Sequence, residues 1–203
     1  MMRIRLLVIA LAGVLAGGAA ALLMLGGGGE RAGISGRQVT TGKALVGGPF
    51  QLVDHHGKAV TERDFAGRPM LLMFGFTSCP DVCPSGLQVM AAAIDKLGEK
   101  RRGLTPVFIT LDPERDTPEK LKDYVTSFHP AIVGLTGSPE AAAAAAKAYR
   151  VYAKKVPLAD GAGYTIDHSS FFYIMDAKGE FLAHVPHTTN PDVLTGRLKS
   201  VLP

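Results

Sequence analysis

The chain contains two cysteines, both in Ser78-Cys79-Pro80-Asp81-Val82-Cys83-Pro84. Two thiols this close can close a structural disulfide, run a dithiol–disulfide cycle, or hold a soft metal such as Cu(I) or Zn. A spacing of four places both sulfurs on one face if the segment is helical. Three intervening residues also give a wider bite than a C-x-x-C pair. A domain of this size needs no covalent staple, which weighs against a purely structural disulfide. The cysteines alone do not separate a redox dithiol from a metal site. A third residue bears on that choice: His168, in Tyr164-Thr-Ile-Asp167-His168-Ser169-Ser170-Phe171. An imidazole beside two thiolates completes a three-coordinate site suited to Cu(I), and to Cu(II) with a further ligand. A histidine ahead of a strand is by itself an ordinary structural residue; joined to the cysteine pair, it reads as a ligand.

The elements that must bring these residues together are legible in the hydrophobic pattern. Pro49–Val53 and Lys58–Val60 flank Asp54-His-His-Gly57, a hairpin with a turn glycine. Pro69–Phe76 is a continuous apolar run, as expected of a strand buried on both faces. A helix is expected from Val82 to Lys100, so the cysteines lie at a strand-to-helix turn, where free N–H groups and the helix dipole stabilise thiolates. Leu104–Leu111 reads as a second buried strand and Thr117–Phe128 as a helix capped by Thr117 with Pro118 at its first position. Ile132–Leu135 is a short strand, followed by an alanine-rich helix capped by Ser138. Phe171–Met175 and Phe181–Val185 form a terminal hairpin around Asp176–Gly179, and Asn190–Val201 closes the chain as a helix. The order β-α-β-α-β-α-β-β-α specifies an α/β domain with a mixed sheet flanked by helices. Thioredoxin-like folds have this arrangement, with chemistry at the end of the first core strand. In the redox enzymes of that fold a proline just before the late strand faces the dithiol. This chain has no proline there and carries His168 instead.

The apolar surplus is concentrated at one end. Leu6 to Leu25 is twenty residues without a charge, about 30 Å of helix, enough to cross a bilayer core. A cleaved signal peptide would have a shorter apolar core, whereas here Leu22–Leu25 continue the run past the small residues. Residues 6–25 are therefore expected to be an uncleaved transmembrane anchor, with 1–5 cytoplasmic because of Arg3 and Arg5. Residues 26–45, rich in Gly, Ser and Thr, are expected to form a flexible linker, and 46–203 the folded domain. A bacterial inner-membrane protein with one span and a periplasmic domain is the simplest reading. The net charge of +4 is mild, and no Lys/Arg cluster interleaves with aromatics, so nucleic-acid binding is poorly supported.

The remaining polar residues take ordinary roles. Asp112, Glu114, Asp116 and Glu119 could form an acidic rim for a partner, but cap and loop roles explain them. His55, His56, His129, His184 and His187 sit at turns and strand exits, and Met70, Met73 and Met90 fall in apolar runs as core filling. A peroxidase of the peroxiredoxin type needs Thr or Ser three residues before its reactive cysteine; Phe76 and Pro80 stand there instead.

Phe65-Ala-Gly-Arg-Pro69, Phe74-Gly-Phe-Thr-Ser-Cys79-Pro-Asp-Val-Cys83-Pro84, Leu111-Asp-Pro-Glu-Arg-Asp-Thr-Pro-Glu119, Phe128-His-Pro130, Gly134-Leu-Thr-Gly137, Asp167-His-Ser169 and Met175-Asp176 occur in this order. Together they resemble the Sco/SenC family of copper-binding cytochrome c oxidase assembly factors, over roughly Val46 to Leu202. The resemblance implies that Cys79, Cys83 and His168 are copper ligands. It implies that the recipient is the dinuclear Cu(A) centre of oxidase subunit II, and it leaves the identity of a periplasmic copper donor open. Asp81 and Asp167 resemble family positions beside the ligands and are equally well read as loop aspartates. The rival activity is a membrane-anchored thiol–disulfide reductase of the same target cysteines, with Cys79 and Cys83 as its redox pair.

Overall fold

Strands buried on both faces build the centre of this structure, a computed structural model that describes residues 45–159, 161 and 163–203. The expected anchor 6–25, the cytoplasmic residues 1–5 and linker positions 26–44 lie outside the described residues. Among the described residues, no helix is long and apolar enough to cross a membrane. In chain order the strands are β1 (Gln51–Asp54), β2 (Ala59–Thr61), β3 (Met70–Gly75), β4 (Thr105–Thr110), β5 (Val133–Thr136), β6 (Ala153–Pro157), β7 (Tyr164–His168), β8 (Phe171–Met175) and β9 (Phe181–Pro186). The α-helices are α1 (Val82–Lys96), α2 (Pro118–Phe128), α3 (Pro139–Ala148) and α4 (Pro191–Lys199).

Seven strands form one mixed sheet in the order β2-β1-β5-β4-β3-β8-β9. The central β5-β4-β3 ladder is parallel, and β8, β9, β1 and β2 join antiparallel. Because side chains alternate across a strand, the run in β3 feeds two cores. Leu71 and Met73 pack with Leu87, Met90 and Ile94 of α1 and Leu121 of α2. Met70, Leu72 and Phe74 pack on the other face with Ala145 and Tyr149 from the α3 side. Every residue of β3 is buried, which is why that strand reads as a continuous apolar run rather than an alternating one. The architecture is thus an α/β, thioredoxin-like sheet with helices on both faces.

Two features differ from the expected element order. The helix after the cysteines ends at Lys96, and residues Gly98–Gly103 form a separate 3-10 turn. Gly98, at φ +57°, breaks the helix in a conformation few other residues adopt. The second difference is the β6–β7 hairpin, which forms its own two-stranded sheet. All of β6 is exposed, so it carries no alternation of apolar and polar residues from which a strand could be read. That hairpin ends at His168.

Candidate metal centre

The site begins at the C-terminal end of β3. After Gly75 the chain leaves the sheet, and the Cys79 N–H donates to the Phe76 carbonyl at 3.2 Å. Helix α1 then starts at Val82. Pro84 falls in its first turn, where a missing N–H costs nothing. Cys79 is 8% exposed and Cys83 fully buried. Both are free thiols.

Space for the Cys83 sulfur comes from Gly75. A Cβ at that position would lie 2.6 Å from Cys83 Sγ and 2.9 Å from the Phe108 ring. The sequence offered no signal for this role, because the close approach joins a strand to a helix turn eight residues on.

His168 arrives from the far end of the chain. Its Nδ1 lies 2.9 Å from the Ser169 carbonyl, which can only accept, so the proton sits on Nδ1. The other nitrogen, Nε2, is left with its lone pair facing Cys83 Sγ at 3.7 Å. Such a bond to the non-ligating nitrogen is how proteins fix the tautomer and ring direction of a metal-binding histidine. The ring also meets Phe76 edge-on at 5.8 Å between centroids. The ligand atoms of Cys79, Cys83 and His168 all lie within 4.8 Å of one another. Folding therefore brings together the three residues singled out in the sequence.

The two thiols share one proton. Cys79 is held far below the ordinary thiol range, at about 4, chiefly by a hydrogen bond from the Cys83 S–H. The backbone N–H groups of Asp81 and Cys83 add to this, against the cost of burial. The same bond, followed by burial and the Cys79 charge, pushes Cys83 above the ordinary range. At neutral pH the pair is one thiolate and one thiol, a ready soft donor beside a second that must lose its proton to bind metal.

Residues that looked like loop acids prove to be internal struts. Asp116 is fully buried; it accepts from the Thr77 N–H at 2.9 Å and the Thr77 hydroxyl at 2.5 Å. The Thr110 hydroxyl donates to it at 2.6 Å, and the Lys120 ammonium stands 3.5 Å away. It thus ties the loop that carries Cys79 to the end of β4. Asp112, also fully buried, accepts from the Tyr164 hydroxyl at 2.8 Å and from Arg115. An acidic docking rim would require these carboxylates at the surface; of the four, Asp112 and Asp116 are inside. The side chains of Asp81 and Asp167 are exposed and make no hydrogen bond among the described residues. Sequence reasoning missed Gly75, Arg115 and Tyr164 as shapers of the site. The D-P-E-R-D run was the local sign of Arg115, and the stretch leading to His168 was that of Tyr164.

Comparison with known proteins fits this site. The SCO1/SenC family model matches residues 38–203. The chain belongs to the SCO1/SenC family. It is 45% identical over 148 residues to the human protein SCO1 homolog, mitochondrial, covering 72% of this chain and 49% of that one. It is 45% identical over 157 residues to the Arabidopsis thaliana protein SCO1 homolog 1, mitochondrial, covering 77% and 47%. The chain spans about half the length of these curated relatives. Among solved structures, Bradyrhizobium japonicum ScoI with copper bound is 44% identical with a TM-score of 0.72, over 77% of this chain and 99% of that one. Yeast Sco1 with copper bound is 39% identical with a TM-score of 0.67, over 78% and 91%.

Proposed function

We propose that this chain is a membrane-tethered copper chaperone that binds one copper ion through Cys79, Cys83 and His168 and delivers it to the Cu(A) centre of cytochrome c oxidase subunit II. The observation that carries the reading is the convergence of two sulfurs and one tautomer-fixed imidazole nitrogen within 4.8 Å. Two thiolates and an imidazole suit copper better than the oxygen-seeking cations. Copper-bound structures of family members support the cargo. BsSco, a structurally similar protein, is a member of the Sco family of cytochrome c oxidase assembly proteins, which supports the oxidase as recipient. In this reading residues 6–25 span the bacterial inner membrane once, 26–45 act as a tether, and the domain from 46 onward works in the periplasm.

Transfer proceeds by ligand exchange. Cys79, as the standing thiolate, is the first donor to reach an incoming ion, and Cys83 gives up its proton as the second bond forms. His168 closes the set. A thiolate or imidazole of the recipient enters before the old ligands leave, so the ion is never uncoordinated, and the recipient's better final ligand set draws it across. Oxidation of the pair, with two electrons and its one shared proton passing to a disulfide of another protein, would tie up both sulfur donors in a disulfide and end binding.

The shared proton also favours a second reading, a thiol–disulfide reductase acting on the Cu(A) cysteines. A low thiolate next to a buried resolving thiol is the equipment of dithiol exchange. Copper stoichiometry of the reduced, detergent-solubilised protein separates the two. A ratio of one copper per chain that collapses in Cys79→Ser, Cys83→Ser and His168→Ala supports the chaperone. Full loading of His168→Ala, with dithiol exchange intact, favours the reductase.

A further inference from the structure

The third proposed ligand rides on a two-stranded ribbon separate from the main sheet. As strands, β6 and β7 pair only with each other among the described residues, β6 is exposed along its whole length, and Ile166 is the one buried residue of β7. A two-stranded ribbon alone is marginal in water. Something must hold it against the body if His168 is to keep its place beside Cys83.

One arginine meets that need. Arg115 lies in the loop between β4 and α2, and its Nη1 donates to the Tyr164 carbonyl at 3.1 Å, at the start of β7. Its guanidinium lies over the Tyr164 ring at 4.1 Å from the centroid. Its Nε is bonded to the buried Asp112 carboxylate, and Asp112 in turn takes the Tyr164 hydroxyl at 2.8 Å. Tyr164 is thus gripped at its backbone, its ring and its hydroxyl by one ion pair. On the outer face of the ring, Lys155 of β6 stands 4.5 Å from the centroid and pairs with Glu114 at 2.7 Å. The guanidinium also reaches the Phe76 ring at 6.0 Å, the same ring that His168 meets edge-on. Arg115 therefore touches both supports of His168: the strand that carries it, and the aromatic wall beside it.

We propose that Arg115 is the positioning residue of the metal centre: by clasping Tyr164 it holds the β6–β7 hairpin, and through it His168, in the copper-binding position. Opening the clasp turns a three-ligand site into a two-thiolate one. The strength of the clasp then sets how readily the imidazole leaves when copper is handed on. This rests on the reading of His168 as a ligand.

A double-mutant cycle on the full chain in detergent tests it, with Cu(I) affinity measured by competition against a chromophoric chelator. Arg115→Gln should weaken binding by about tenfold or more, as loss of a ligand's supporting shell does. In a His168→Ala background the same substitution should cost nothing further. The Cu(II) form of Arg115→Gln should lose the nitrogen hyperfine structure from its electron paramagnetic resonance spectrum, as His168→Ala does. Equal losses in both backgrounds, or no loss in either, would overturn the clasp while leaving the ligand assignment standing. Undiminished binding in His168→Ala itself would bring down both. If Arg115→Gln does not fold, Tyr164→Phe serves in its place. It keeps the ring stacked and removes only the hydroxyl's bonds to Asp112 and Glu114, and it should show a smaller loss with the same dependence on His168.

Discussion

A thiolate and a thiol that share a proton respond to pH differently from two independent cysteines. Cys79 is already ionised near neutrality and Cys83 is not. Copper therefore displaces one proton, from Cys83, and affinity must rise with pH. Between about pH 7 and 9, Cu(I) affinity should rise about tenfold per unit, the signature of a single proton released. Two ordinary thiols would give a slope near two at the lower end of that range. Competition titrations at several pH values distinguish the outcomes, and a slope of two would refute the shared proton. The same residues show why burial does not silence Cys79. The N–H groups of the first turn of α1 and the Cys83 S–H offset the desolvation of its charge.

Gly75 belongs to the scale of elements, because it governs how closely β3 and α1 approach. A methyl group there would lie 2.6 Å from Cys83 Sγ with the Phe108 ring behind it, so the sulfur has little room to retreat. Gly75→Ala should lower stability by about 1–3 kcal/mol, the usual cost of overpacking, and weaken copper binding by displacing Cys83. Urea denaturation read alongside copper affinity checks this; unchanged values for both would mean that α1 can slide freely. The Asp116 strut works at the same scale, joining the Cys79 loop to β4 through Thr77 and Thr110. The rigid half of the site, Cys79 and Cys83, is thus built into the parallel core of the sheet. The adjustable half, His168, is borne on a ribbon held by side chains. On the proposed chaperone reading, a protein that must bind its cargo and also surrender it has use for both.

For the molecule as a whole, the proposed ligands come from β3–α1 and from β7, so metal bound by them would cross-link parts of the chain 85 residues apart. An ion that binds only this folded arrangement must stabilise it. With free Cu(I) at about a thousand times the dissociation constant, the gain is about 4 kcal/mol. For a domain of this size that should raise the melting temperature by roughly 10 °C. Calorimetry of reduced protein with and without Cu(I) measures the shift, and Cys79→Ser should abolish it. A shift that persists in that variant would place the stabilising copper elsewhere.

Much of this was written in local sequence. The apolar run at Met70–Gly75 marked a strand buried on both faces, Thr117-Pro118 and Ser138-Pro139 marked helix starts, and the cysteine pair marked the chemistry. Each is a short-range pattern, because strand burial, helix caps and ligand spacing are set by neighbours within a few residues. The β6–β7 hairpin was not legible, since an exposed ribbon has no alternation to read. Nor were the insides of the D-P-E-R-D loop. Asp112 and Asp116 look like surface acids until partners 52 and 39 residues away are brought to them. The residue types and their order in the chain determined which atoms could bind copper. Only the tertiary structure decided that Nε2 is the free nitrogen of His168, that Gly75 makes room for a sulfur, and that Arg115 holds the hairpin. Those are contacts between distant segments, and no local propensity encodes them.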